Sequence, residues 1–165
     1  MALSAIFTAL CTSLIIVGGL LDIFDLTVCA LCSFIIAAAI CEIGGKYPTL
    51  IFFASAVLSF IFMPMSSAAF YYAGFFGYYP ILRKIIIKRV KKPFSKILSI
   101  LIFNGSMALI LFLFTKLFIS ENDTALVYVS ILIVGNIFFV CYDFLLDKFD
   151  IIYRYKIKKL FKPGK

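Results

Sequence analysis

The sequence contains no His and no Trp, and only 15% of its residues are charged. Without His there is no imidazole for a nucleophilic triad or a His-ligated metal centre. The only glycine pair followed by a lysine, Gly44-Gly45-Lys46, is too short to cradle phosphates. Acid and base groups are too sparse for general acid–base work, so the reading is of a non-enzyme without catalytic residue, metal or cofactor. A soluble domain averages about 45–50% apolar and about 25% charged residues. Here 64% of 165 residues are hydrophobic, 20 of them Phe, and the mean hydropathy is +1.14. A soluble chain of this size could not bury that much apolar surface. The composition points to an integral membrane protein with no room for a folded soluble domain.

What charge there is has one dominant sign: 16 Lys and Arg against 8 Asp and Glu, a net +8. In a soluble protein this would suggest nucleic acid. The basic residues instead fall in two runs, 83–96 and 148–165, each directly after an apolar segment. That is the pattern of cytoplasmic loops in membrane proteins, and nucleic acid is not expected as a partner.

Six apolar segments approach the roughly 20 residues that a bilayer core requires. They are Leu3–Leu21, Leu26–Cys41, Tyr47–Met63, Ser66–Leu82, Ile97–Phe118 and Ala125–Leu145. The sequence thus reads as an all-α, polytopic bundle of six transmembrane helices over residues 1–147, with a basic loop at 83–96 and a basic amphipathic tail at 148–165. With both termini cytoplasmic, seven basic residues in each run and Lys46 lie inside, 15 of the 16, and only Lys116 lies outside. The inner surface of the cell (plasma) membrane is the natural setting for that bias. A version in which the third and fourth segments form a re-entrant hairpin keeps the same orientation, so charge does not separate the two.

Two stretches read as interfacial. Ile81–Lys92 mixes apolar and basic residues up to Pro93, which is expected to end it. In the tail, Tyr153, Ile157, Leu160 and Phe161 share one helix face. Both would lie on an anionic leaflet or dock a cytoplasmic partner. At the ends of the spans, Asp143 is expected to reach headgroup water or a tail lysine, and Glu42 to pair with Lys46 four residues on. Tyr78 and Tyr79 fit an inner aromatic belt.

Polar groups within the spans are few. Asn104 and Asn136 fall at similar depth on adjacent antiparallel helices, roughly 10 and 14 Å from one boundary at 1.5 Å per residue. They are placed to bond each other or to line a ligand cavity. The fourth segment packs Tyr71, Tyr72 and five more aromatics among small residues after Ser66 and Ser67. It reads either as a packing surface or as an aromatic-walled site for a flat, mostly apolar molecule. Cys29-Ala30-Leu31-Cys32 has redox-motif spacing, but small apolar packing residues are the expected role. In the first segment Ala5, Ala9 and Ser13 recur every four residues and give a smooth face suited to helix association.

Six spans in fewer than 200 residues, cytoplasmic termini and the Ala5-xxx-Ala9 face together resemble the substrate-binding S components of energy-coupling factor vitamin transporters. The resemblance implies capture of a small organic micronutrient, with Ser66, Ser67, Tyr71, Tyr72, Asn104 and Asn136 as binding residues. It also implies a membrane coupling subunit with ATPases as the energising partner, met through Ala5, Ala9 and Ser13. The alternative reading is a non-transporting scaffold or assembly factor that recruits a cytoplasmic partner through its basic inner face.

Overall fold

Unbroken apolar sequence from Ala2 to Leu21 supports the first helix, α1, and the segment after Asp25 supports the second, α2 (Asp25–Glu42). A computed structural model describes residues 2–21, 25–44, 46–90, 92–118 and 125–153. Among these residues there is no strand. Then follow α3 (Tyr47–Phe62), α4 (Ser67–Tyr71), a π-helical turn at Tyr72–Phe76, α5 (Tyr79–Arg89), α6 (Lys92–Phe118) and α7 (Ala125–Ile152). The expectations for the tail beyond Tyr153 and for the outer turn at 119–124 lie outside the described residues.

The contacts fix the directions. Gly18 meets Val28 while Cys11 meets Cys32, so α1 and α2 are antiparallel. Tyr72 bonds Ser55 and Phe70 packs on Phe60, so α4 returns along α3. Asn104 faces Asn136, and Phe103 stacks on Phe139 with ring centroids 4.6 Å apart, so α6 and α7 are antiparallel. One end of the bundle gathers Lys46, Lys84 and Lys88, and the other gathers Gly19, Asp25, Ser66 and Ser67.

The solvent this fold is built for can be read from its surface. Leu10, Phe53, Val57, Ile61, Leu101 and Ile137 are exposed, while Thr12, Ser33, Ser55, Ser59, Ser99 and Ser106 are buried. The buried hydroxyls of Ser55, Ser59 and Ser106 donate to the carbonyl four residues back, at 2.7–2.8 Å, which satisfies them without water. Apolar outside and small polar inside is the arrangement that lipid permits. By length and composition 2–20, 25–42 and 94–112 can each cross a membrane, whereas α3 has 16 residues.

Several sequence expectations are corrected. The fourth segment is not one helix. The Gly77 N–H reaches back five residues to the Tyr72 carbonyl at 2.8 Å, and Pro80 restarts the helix where its missing N–H costs nothing. Two glycines let neighbours in: a Cβ at Gly77 would lie 2.3 Å from the Phe52 ring, and one at Gly74 would lie 2.7 Å from Ile110. Pro93 does not end a helix. The chain turns at Val90, and Pro93 occupies the first turn of α6, a position suited to its fixed φ. Residues 81–89 are packed against the bundle rather than lying wholly on its surface, since Arg83 and Ile86 are buried. Glu42 does not pair with Lys46: α2 ends at Glu42, the chain turns away at Gly44, whose φ of +63° suits glycine, and Glu42 instead accepts a bond from Tyr153 at 3.1 Å.

Candidate functional site

The π turn sets the geometry of the most ligand-like cleft. It sends Tyr72 and Phe75 into the core, where the Tyr72 hydroxyl meets Ser55 Oγ at 2.7 Å. It leaves Tyr71 and Phe76 along a cleft of about 350 Å³ between α2, the turn, α6 and α7. Leu26, Phe103, Met107, Val134, Gly135 and Phe138 complete the lining. A Cβ at Gly135 would meet Phe103 and Met107 at 3.5 and 3.6 Å, so the glycine keeps one wall of the cleft shallow. The walls are aromatic and apolar, with the Tyr71 hydroxyl as a polar handle.

Immediately before Leu26 in α2, the Asp25 carboxylate is only 8% exposed. The Ser67 hydroxyl donates to one oxygen, while the second oxygen and the Ser66 hydroxyl find no hydrogen-bond partner among the described residues. Tyr71 is an electrostatic neighbour of this carboxylate. A buried, incompletely bonded carboxylate beside an apolar cleft is costly, and such groups mark function in membrane proteins.

At the opposite end, Arg83 holds α5 to α7. Its Nε donates to Asp143 Oδ1 at 2.7 Å, Nη2 pairs with Asp147, and Nη1 lies 4.0 Å from Asp150. Tyr79 also donates to Asp143, at 2.6 Å. Among the described residues, Asp143 thus turns inward to Arg83 and Tyr79. Tyr79 is buried and Tyr78 bonds Ser106, so these two are interior residues rather than an aromatic belt. Burial acts to lower the pKa of Arg83, but Asp143 and Asp147 outweigh it, and the net shift is upward. Tyr153 is pushed up to about 12 by partial burial and by donating to Glu42.

The six anticipated binding residues separate into four groups. Tyr71 lines the cleft, Ser67 donates to Asp25 while Ser66 packs at Gly19, and Tyr72 belongs to the core. Asn104 and Asn136 exchange reciprocal amide hydrogen bonds at 3.0 and 2.9 Å, and neither lines the cleft. If these bonds are their whole role, either Asn→Leu change should cost about 0.6–2 kcal/mol. The double replacement should cost little more, because it leaves no amide unpaired. Denaturant unfolding in micelles checks this, and additive losses would contradict it.

Missed in the sequence were Phe103 with Met107 and Val134 with Phe138, although each pair has the i, i+4 spacing of one helix face. Cys29 and Cys32 are fully buried, and Cys29 donates to the Ala68 carbonyl at 3.2 Å, so they serve as packing residues. Ala5, Ala9 and Ser13 are exposed along α1, opposite the buried Cys11 and Ile15. No group of three His, Cys, Asp or Glu among the described residues is arranged to hold a metal. No protein family, curated protein or solved structure matches the chain.

Proposed function

We propose that the protein is the substrate-binding component of an uptake system for a small organic micronutrient, energised by a separate membrane subunit. The observation that carries this reading is the aromatic cleft of about 350 Å³ with a buried, incompletely bonded carboxylate next to it. Its volume is within the roughly 300–1,000 Å³ range of small-molecule sites. Nothing in the sequence binds nucleotide, so the energy source has to be a partner. The exposed Ala5, Ala9 and Ser13 face is where a partner helix can approach α1 closely. On this reading all six segments cross the plasma membrane and the basic end is cytoplasmic.

A panel of vitamins and related micronutrients, screened by thermal shift on the purified protein, tests the proposal. One class should raise the unfolding temperature saturably, since a ligand at 100 times its Kd adds about 2.7 kcal/mol. A flat response across the panel at millimolar concentration would favour the scaffold reading, which the cluster of lysines at the basic end supports.

A further inference from the structure

A second cavity, of about 340 Å³, lies at the basic end of the bundle, far along α2 from the aromatic cleft. Three ammonium groups enter it from two segments: Lys46 before α3, and Lys84 and Lys88 on consecutive turns of α5. Lys84 Nζ donates to the Ile40 carbonyl at 3.2 Å, which holds this ammonium against the end of α2. No side chain caps α3, whose first turn contributes Pro48 and Thr49 to the wall, so the helix presents its positive end to the same space. Glu42 accepts from Tyr153, and Asp150 lies 4.0 Å from Arg83 and lines a neighbouring pocket with Lys84, so the charge offered to the cavity comes chiefly from Lys46 and Lys88. The remaining wall is apolar, formed by Ile40, Ile81 and Ile85, and Ile85 also faces outward.

We propose that this cavity binds the headgroup of an anionic phospholipid. The phosphate would sit among Lys46, Lys84 and Lys88, and the glycerol and upper acyl chains would run over Ile81 and Ile85. The charge is complementary to a phosphodiester, and the cavity is larger than a bare phosphate requires. The isoleucines offer nothing to a free inorganic anion but match a lipid, and basic pockets between membrane helices are suited to such headgroups. This inference does not rest on the uptake reading and concerns a different end of the molecule.

The test uses the purified full chain in neutral detergent, with binding followed by native mass spectrometry and thermal shift. The probes are dioctanoyl phosphatidylglycerol, dioctanoyl phosphatidylcholine and inorganic phosphate. The phosphatidylglycerol should bind at least about tenfold more tightly than either of the others. Lys46→Gln with Lys88→Gln should abolish that preference, and Lys88→Gln alone should weaken it if the double variant does not fold. Arg89→Gln with Lys148→Gln removes the same charge from exposed positions outside the cavity and should leave affinity within about twofold. Equal losses in both double variants would overturn the site in favour of a diffuse basic surface. Phosphate binding as tightly as the lipid would overturn the lipid assignment, and equal binding of phosphatidylcholine would overturn the role of the lysines.

Discussion

Replacing Arg83 with Met should cost about 3–5 kcal/mol of stability, the largest effect expected of any single exposed-to-core charge change here. The guanidinium is 6% exposed and is the described ion-pair partner of Asp143, itself mostly buried and also bonded by Tyr79. Without Arg83 a carboxylate is left in a low-dielectric site with one phenol for company. Asp147 and Asp150 are about half and a third exposed, so water screens them and they contribute little to the loss. The double variant Arg83→Met with Asp143→Leu should recover much of the stability, because it removes both charges together. Urea unfolding in mixed micelles measures both. A loss below about 0.5 kcal/mol for Arg83→Met would mean that the cluster does not hold α5 to α7. The cleft is close to this tie, since Phe76 ends the π turn just before α5 and Phe138 lies on α7, the helix that Arg83 holds.

Replacing Ala5 and Ala9 together with Trp should eliminate uptake and partner co-purification while changing stability by no more than about 0.5 kcal/mol. Both positions are exposed on α1, so among the described residues the indoles have no neighbour to displace. Had the face been packed inside, overpacking would cost about 1–3 kcal/mol or more. A bulky ring on a small-residue face prevents the close backbone approach that drives helix association in lipid. Thermal unfolding of the isolated chain, paired with co-purification from membranes, reads the two effects separately. Full retention of uptake would leave the face merely lipid-exposed.

The parts of this fold legible in the sequence are those governed by local patterns. α1 and α2 follow from uninterrupted apolar runs, and the shared depth of Asn104 and Asn136 anticipated their mutual bonds from rise per residue alone. The π turn was not legible, because it depends on Phe52 and Ile110 pressing against Gly77 and Gly74 from distant helices. The Arg83 cluster was half legible. Asp143, Asp147 and Asp150 fall at i, i+4 and i+7, a single helix face. Their partner is the first of seven basic residues in its run, and charge counting treats all seven alike. Gly44 signalled the end of α2, and with it the loss of a Glu42–Lys46 pair, but the favourable four-residue spacing masked the signal. The fourth segment supplies two lining residues of the cleft, Tyr71 and Phe76, but five come from α6 and α7, whose approach to the π turn is a tertiary fact.

The cleft itself is tested most directly by filling it. Gly135→Phe adds a ring to the wall of the cleft, and its first added carbon meets the Phe103 and Met107 side chains at ordinary contact distance. With the micronutrient class that stabilises the native protein, equilibrium binding should be lost by at least about a hundredfold, about 2.7 kcal/mol. The unliganded unfolding temperature should stay within a few degrees of the parent. Retained affinity in a folded Gly135→Phe protein would contradict the assignment of the cleft as the binding site.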